Sequence, residues 1–253
     1  MSIVLLHGSA NGAYSWGSVR QALASQLPSD ERVFAVDMLG YGASPAPSAN
    51  YDMAEEVAHL HRAIERQNLG PIHLVAHSLG VMFALHLRLA LSEAKGSGVV
   101  RMTLFDPVLV SVLREKESMR AYEEMEAVYT SAMVEEKDPA VIAKRFVEHW
   151  GGPDAWSGIG DKARQLIQTL VPKVQAEIAV ARADTTPLAS LTRNAPPSRV
   201  IVGEHTRLPV VEGARELARA LGVDVSIIPG AGHMLPLTHP GAVARWVASG
   251  SAD

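Results

Sequence analysis

Pro71-Ile72-His73-Leu74-Val75-Ala76-His77-Ser78-Leu79-Gly80 decides the fold of this 253-residue chain. Ile72 to Ala76 is a short apolar run with little alternation, the pattern of a strand buried on both faces. From Val81 to Ser92 the apolar residues fall into helical spacing, so a strand passes into a helix across a very short turn. A turn that abrupt crowds the residues two before and two after its apex, and the small Ala76 and Gly80 occupy those places. Ser78 at the apex then stands clear of the C-terminal edge of the sheet, beside the positive end of the following helix. The bland alternative is a serine that merely caps that helix, and the pentapeptide alone does not exclude it.

Working outward, similar apolar runs recur at Ile3 to Leu6, Val33 to Val36, Met102 to Phe105, Val200 to Val202 and Val225 to Ile228. Between them lie stretches of helical spacing, Val19 to Leu27, Met53 to Gln67 and Glu212 to Leu221, long enough for crossover helices. Alternating strands and helices predict an α/β fold, a mostly parallel sheet of about six strands flanked by helices. One interval breaks the rhythm: no strand-like run lies between Phe105 and Val200. Tyr122, Met125, Tyr129 and Met133 fall at offsets of three and four, and Val141 to Trp150 and Ala163 to Leu170 read as further helices. The expected organisation is therefore a core of residues 1–106 and 195–253 with a helical cap inserted at 107–194. The Met and aromatic residues of that cap either line a site or only pack the cap against itself.

Hydrophobic residues make up 47% of the chain and charged residues 20%, which supports a core and is unlike a disordered chain. A net charge of -4 offers no attraction to phosphate backbones or anionic lipid surfaces, so neither nucleic acid nor membrane is an expected partner. The absence of cysteine excludes disulfides, Cys-ligated metal sites and a thiolate nucleophile. No His-Glu-x-x-His or His/Asp cluster at ligand spacing occurs, and the glycine spacing of a dinucleotide fingerprint is missing, so neither a metal nor a cofactor is expected. Residues 1–8 lack a basic region, and their apolar run is too short for a signal-peptide core or a membrane span, so the expected location is cytoplasmic. The oligomeric state leaves no mark in the sequence.

Three more motifs join the turn at Ser78. His7-Gly8-Ser9 follows the first strand, Asp37-Met38-Leu39-Gly40-Tyr41-Gly42-Ala43-Ser44 follows the second, and Gly230-Ala231-Gly232-His233 follows the last. In this order and spacing the chain resembles the α/β-hydrolase superfamily, over roughly residues 3 to 106 and 198 to 245. It starts at the strand before His7-Gly8, so the expected core lacks the first strands that members usually carry. The resemblance implies that Ser78 is a nucleophile and that the backbone amides of Ser9 and Leu79 form an oxyanion hole, Ala10 being the lesser candidate for the first donor. His233, in a Gly-flanked loop past the last strand, is the expected base. His239 is its nearest rival, while His73, His77, His59, His61 and His86 read as packing or surface residues. Many members carry an acid shortly after the penultimate strand, where this chain has Thr206. Asp106, at the end of an earlier strand, and Glu204 are the two substitutes, with Asp106 the better fixed for orienting an imidazole.

A serine at this turn argues against displacement at saturated carbon, for which related branches use an Asp, and favours acyl chemistry on a small-molecule ester-like substrate. Carbon-carbon bond hydrolysis, thioester hydrolysis and cofactor-free lyase chemistry use the same constellation. A noncatalytic ligand receptor on the same fold is the alternative of a different class.

Overall fold

The computed structural model describes residues 1–93, 98–114, 119–129 and 135–249. Six strands, β1 (Ser2–Leu6), β2 (Arg32–Val36), β3 (Ile72–His77), β4 (Val99–Phe105), β5 (Ser198–Gly203) and β6 (Val225–Ile228), form one sheet. Their order is β2-β1-β3-β4-β5-β6 and every neighbouring pair is parallel. The central strands β1 and β3 are buried on both faces, which is why they read as continuous apolar runs, while the edge strands β2 and β6 are only partly covered. In β1, Val4 and Leu6 pack on one face while Ile3 and Leu5 pack on the other. In β3, Ile72, Leu74 and Ala76 fill the first face, and Val75 on the second is flanked along the strand by the buried His73 and His77. His73 Nε2 pairs there with the Thr103 hydroxyl at 2.8 Å. The chain runs from β1 to one side and then returns to the other, so the carboxyl ends of β1 and β3 diverge at a switch point where α/β sheets place their ligands.

Helices α1 (Gly17–Leu23), α2 (Met53–Glu65) and α3 (Gly80–Glu93) connect the first four strands. Between β4 and β5 the described residues contain only helices: α4 (Val110–Arg114), α5 (Met119–Tyr129), α6 (Pro139–Gly151), α7 (Ala155–Gly158), α8 (Asp161–Ala183) and α9 (Leu188–Thr192). The crossover to β6 is α10 (Leu208–Leu221), and α11 (Leu235–Thr238) and α12 (Pro240–Ala248) follow β6. No helix among the described residues is long and apolar enough to cross a membrane.

Among the helices that differ from the sequence expectation, three are instructive. α1 stops at Leu23 instead of Leu27; the chain there closes in a turn, Gln26 N–H to Leu23 carbonyl at 2.8 Å, and Pro28 bars the helix from continuing past Leu27. α8 was expected to end near Leu170 but continues through Pro172 to Ala183. An interior proline costs about 3 kcal/mol, and the buried row Leu170, Val174, Ile178 and Ala181 offsets it. α12 had no counterpart in the expectation; Pro240 opens it and Val243, Ala244 and Val247 bury its inner face. Of the four Met and aromatic residues at helical offsets, Met125 is buried in the larger core cluster. The side chains of Tyr122 and Tyr129, and Met133 altogether, lie outside the described residues.

α8 is fastened to the core by a buried charge cluster. Lys173 Nζ lies 3.0 Å from Glu56 of α2 and 3.4 Å from Glu177 one turn along its own helix. It also sits 3.8 Å from the ring centre of Tyr51. Glu56 in turn accepts from the Tyr51 hydroxyl at 2.6 Å and from the Leu39 amide at 2.9 Å. Removing the one cation leaves two buried carboxyl groups facing each other. Lys173→Met is expected to destabilise the protein by about 3–5 kcal/mol, measured by urea unfolding; a loss below about 1 kcal/mol would show the cluster is energetically neutral.

Candidate active site

Ser78 takes a left-handed backbone conformation, φ +58°, which a non-glycine residue adopts at a cost of about 1–3 kcal/mol. Its neighbours over-determine it. The Ser78 amide donates to the Phe105 carbonyl at 3.0 Å, and the Ser78 carbonyl accepts from Val108 at 3.2 Å, tying the apex to the end of β4. A Cβ on Gly80 would lie 2.3 Å from the His7 carbonyl oxygen, so only glycine lets α3 begin here. On Gly8 a Cβ would lie 2.7 Å from Ser78 Cβ, and its absence lets the loop after β1 lie against the serine.

His233 reaches this serine from the loop after β6, its Nε2 2.8 Å from Ser78 Oγ. Three contacts hold that loop: His77 Nε2–H donates to the His233 carbonyl at 2.7 Å, the His205 amide to Ala231 at 2.8 Å, and the Gly230 amide to the Glu204 carboxylate at 2.7 Å. Trp150 of α6 stacks over the imidazole at 4.4 Å between ring centres, tilted by 32°. The ring is buried, and burial pushes its pKa down to about 3, which leaves it neutral and able to accept a proton. The rival His239 contacts Thr238 instead, and His86 pairs with Asp184 on the far end of α8.

Asp106, fully buried, brings Oδ2 to 3.3 Å from His233 Nδ1. The approach is oblique, so no aligned hydrogen bond forms, and such contacts commonly tighten when substrate binds. The carboxylate on that side assigns the imidazole proton to Nδ1 and the free lone pair to Nε2. Burial pushes the Asp106 pKa up to about 7, opposed by the neighbouring His77, the Gly203 amide and the Thr206 hydroxyl. Gly203 donates to Oδ1 at 3.0 Å, and Thr206 donates to the carboxylate at 2.9 Å from Oδ2. Thr206, at the position where the sequence resemblance leads one to look for an acid, thus holds a carboxylate supplied by the neighbouring strand. Glu204 is exposed and engaged with Gly230; the structure does not bring it to the imidazole.

Ser9, Ser78 and Leu79 border a recess of about 10 Å³ closed by Val108, Phe146, Trp150 and Ile178, room for about one atom. Among the described residues neither the Ser9 nor the Leu79 amide makes a hydrogen bond, whereas the Ala10 amide donates to the Tyr41 hydroxyl at 3.1 Å. Ala10 is therefore committed elsewhere. A larger cavity of about 350 Å³ opens from Ser78 and His233, walled by Phe146, Val147 and Trp150 of α6, Ile159, and Ala163 and Ile167 of α8. Among the described residues no Lys, Arg, Asp or Glu lines it.

Sequence alone gives no role to His77, which reads as packing, or to Trp150. A histidine beside the serine was visible, but its partner is a carbonyl 156 positions away, which no local pattern encodes. Trp150 carries no motif at all. Buried His77, Asp106 and His233 also bring potential ligand atoms within 4.8 Å of one another, with His77 Nε2 engaged by a carbonyl and His233 Nε2 by Ser78.

Comparison with known proteins agrees with this architecture. The profile described as "Alpha/beta hydrolase family" matches residues 3–246. A probable lysophospholipase of Arabidopsis thaliana, BODYGUARD 3, is 31% identical over 123 residues, 47% of this chain and 24% of the relative. A 2-hydroxy-6-oxo-6-(2'-aminophenyl)hexa-2,4-dienoic acid hydrolase of Metapseudomonas resinovorans is 34% identical over 92 residues, 36% of this chain and 31% of that protein. The matched stretch thus spans about a quarter to a third of these curated relatives. Among solved structures, Cfl2 of Burkholderia cenocepacia superposes with a TM-score of 0.73 at 24% identity, covering 97% of this chain and 86% of the other.

Replacing Thr206 by Val removes a hydrogen bond to the ionised form of Asp106, so the carboxyl pKa must rise. The expected outcome is an Asp106 side-chain ¹³C titration displaced to higher pH than in the parent protein. No displacement, or one to lower pH, would show that Thr206 does not support the carboxylate.

Proposed function

The chain belongs to the alpha/beta hydrolase family, and from that membership we propose that it hydrolyses a carboxylic ester through an acyl-enzyme on Ser78. The observation that carries this reading is the 2.8 Å approach of Ser78 Oγ to a buried, neutral His233 Nε2 at a strained turn. As Oγ bonds to the ester carbon, its proton passes to Nε2, and Asp106 steadies the imidazolium that forms. The carbonyl oxygen, now negative, enters the recess between the Ser9 and Leu79 amides. Collapse of the tetrahedral adduct breaks the bond to the alkoxide, which leaves with the His233 proton. Water then repeats the sequence, with His233 as its base, and frees the acid and Ser78.

The cavity supports a neutral substrate with a short to medium acyl chain. Its 350 Å³ lies at the small end of ligand sites, and the walls beyond the catalytic groups are mostly apolar. In this reading helices α6 to α8 are a cap over the serine. An anionic substrate, such as the dienoic acid named for the Metapseudomonas relative, would place its carboxylate in this cavity without a cation to offset desolvation.

p-Nitrophenyl butyrate is expected to give a burst of nitrophenol followed by steady turnover, and to outpace the palmitate. Ser78→Ala is expected to lower turnover by about 10⁴-fold or more. Turnover that survives this substitution unchanged, or no turnover on any neutral ester, would point to a receptor instead. Asp106→Asn is expected to lower kcat by about 10³–10⁴-fold, with Glu204→Gln close to the parent; the reverse ranking would reassign the acid.

The pH profile follows from the same groups. Catalysis needs Asp106 ionised and His233 neutral. The first condition holds above the Asp106 pKa, about 7, and the second already holds well below it. kcat/KM is therefore expected to climb with pH through a limb near 7 that belongs to the pair, then level off. A profile flat from pH 5 to 9 would show that the buried carboxyl does not limit the reaction.

A further inference from the structure

The loop that carries the Ser9 amide is not held by core contacts alone. Ala10, next to Ser9, sits in a left-handed conformation, φ +56°, with no glycine to ease it. Its amide donates to the Tyr41 hydroxyl at 3.1 Å, and that hydroxyl spends its own proton on Glu177 Oε2 at 2.8 Å. The Tyr41 ring also meets His7 edge-on at 4.8 Å between centres, and Glu177 lies on α8, in the helical insertion. All three side chains are buried. Ser9 faces the same carboxylate from the loop side: its hydroxyl favours the charged form of Glu177, although it makes no aligned hydrogen bond.

We propose that Tyr41 and Glu177 are positioning residues for the oxyanion hole, through which helix α8 of the insertion sets where the Ser9 amide points. The inference rests on the ester-hydrolase reading for its kinetic consequence only. Tyr41 can serve both partners because a phenol hydroxyl accepts and donates at once. Glu177 supplies the acceptor that fixes the direction of the hydroxyl, leaving its lone pair toward Ala10. Burial pulls Glu177 toward its neutral form, and Lys173 at 3.4 Å, with Tyr41, opposes that pull. The unfavourable backbone of Ala10 is thus stabilised by a group on an element inserted more than a hundred residues later in the chain, 136 positions separating Tyr41 from Glu177. Loss of the hydroxyl lets Ala10 relax toward an ordinary conformation and swings the adjacent Ser9 N–H away from the recess.

Tyr41→Phe tests this, because the ring and its contact with His7 remain while the hydroxyl goes. Hydrogen exchange at the Ala10 amide, read by NMR, is expected to speed up at least about tenfold as its acceptor disappears, with Leu5 in β1 unchanged. With p-nitrophenyl butyrate, kcat is expected to fall about 10- to 100-fold while KM stays near its parent value, since a misdirected donor costs the transition state and not the ground state. A trifluoromethyl ketone, which forms the tetrahedral oxyanion on serine, is expected to bind more weakly by the same factor. Unchanged Ala10 exchange, or faster exchange with unchanged kcat and inhibitor affinity, overturns the proposal. Should Tyr41→Phe fail to fold, Glu177→Gln keeps the volume while weakening the acceptor, and must show the same pattern in smaller measure; a parent-like Glu177→Gln overturns it. Failure of the ester reading is separate: it appears as parent turnover that Ser78→Ala does not reduce, and Ala10 exchange in Tyr41→Phe still decides whether Tyr41 anchors the loop.

Discussion

At position 80 the backbone of α3 passes so near the carbonyl of His7 that a single added carbon would overlap it. From this close crossing the rest of the site follows. It forces Ser78 into a left-handed conformation, lifts its hydroxyl off the sheet edge, and presses the loop after β1 against it. The strain is local, and the parallel pairing of β1, β3 and β4 with the bonds from Ser78 to Phe105 and Val108 keeps it in place. A sheet whose strand order reverses between β1 and β3 makes this crossing available, because only there do two adjacent strand ends diverge and leave room above them.

Burial then sets the chemistry. Ser78, His233 and Asp106 are all withdrawn from solvent, so charge on any of them is costly unless a neighbour answers it. Imidazole responds by staying neutral, which is the state a base requires. The carboxyl responds by moving toward neutrality, which its proposed role as an orienting acid forbids, and Gly203 and Thr206 are placed to resist that drift. One environment thus acts on two groups with opposite usefulness, and hydrogen bonds to the ionised form of Asp106 offset the disadvantage.

The helices between β4 and β5 contribute more than walls. Trp150 covers one face of the imidazole, Phe146 and Ile178 close the recess beside Ser78, and Lys173 and Glu177 run buried ionic and hydrogen-bonded contacts into α2 and the Tyr41 loop. α8 keeps its course through Pro172 because both ends of that contact row are buried. These helices and the sheet therefore share one polar network as well as one apolar cluster. A displacement of α8 would be felt at Glu56, at Tyr41 and at the loop bearing Ser9 together.

How much of this can be read from residues alone depends on range. Strand and helix periods are local, so six strands, their alternation with helices and a long helical interval before β5 were legible, as was the sharp turn at Ser78 with its small flanking residues. Helix ends were less so: α1 stops short of Pro28, while Pro172 fails to stop α8, and the difference is the packing around each. Ser78 and His233 stand 155 positions apart, and a shared family pattern, not any local period, links them in the sequence. Between Asp106 and Glu204 the sequence favoured Asp106 by its place at a strand end. Folding separates them, turning one carboxylate inward beneath the imidazole and leaving the other at the surface on Gly230. Trp150 and Glu177 carry no pattern of their own, and Tyr41 and Thr206 fall in motifs that do not reveal their partners, since what each does is defined only by the partner that packing delivers to it.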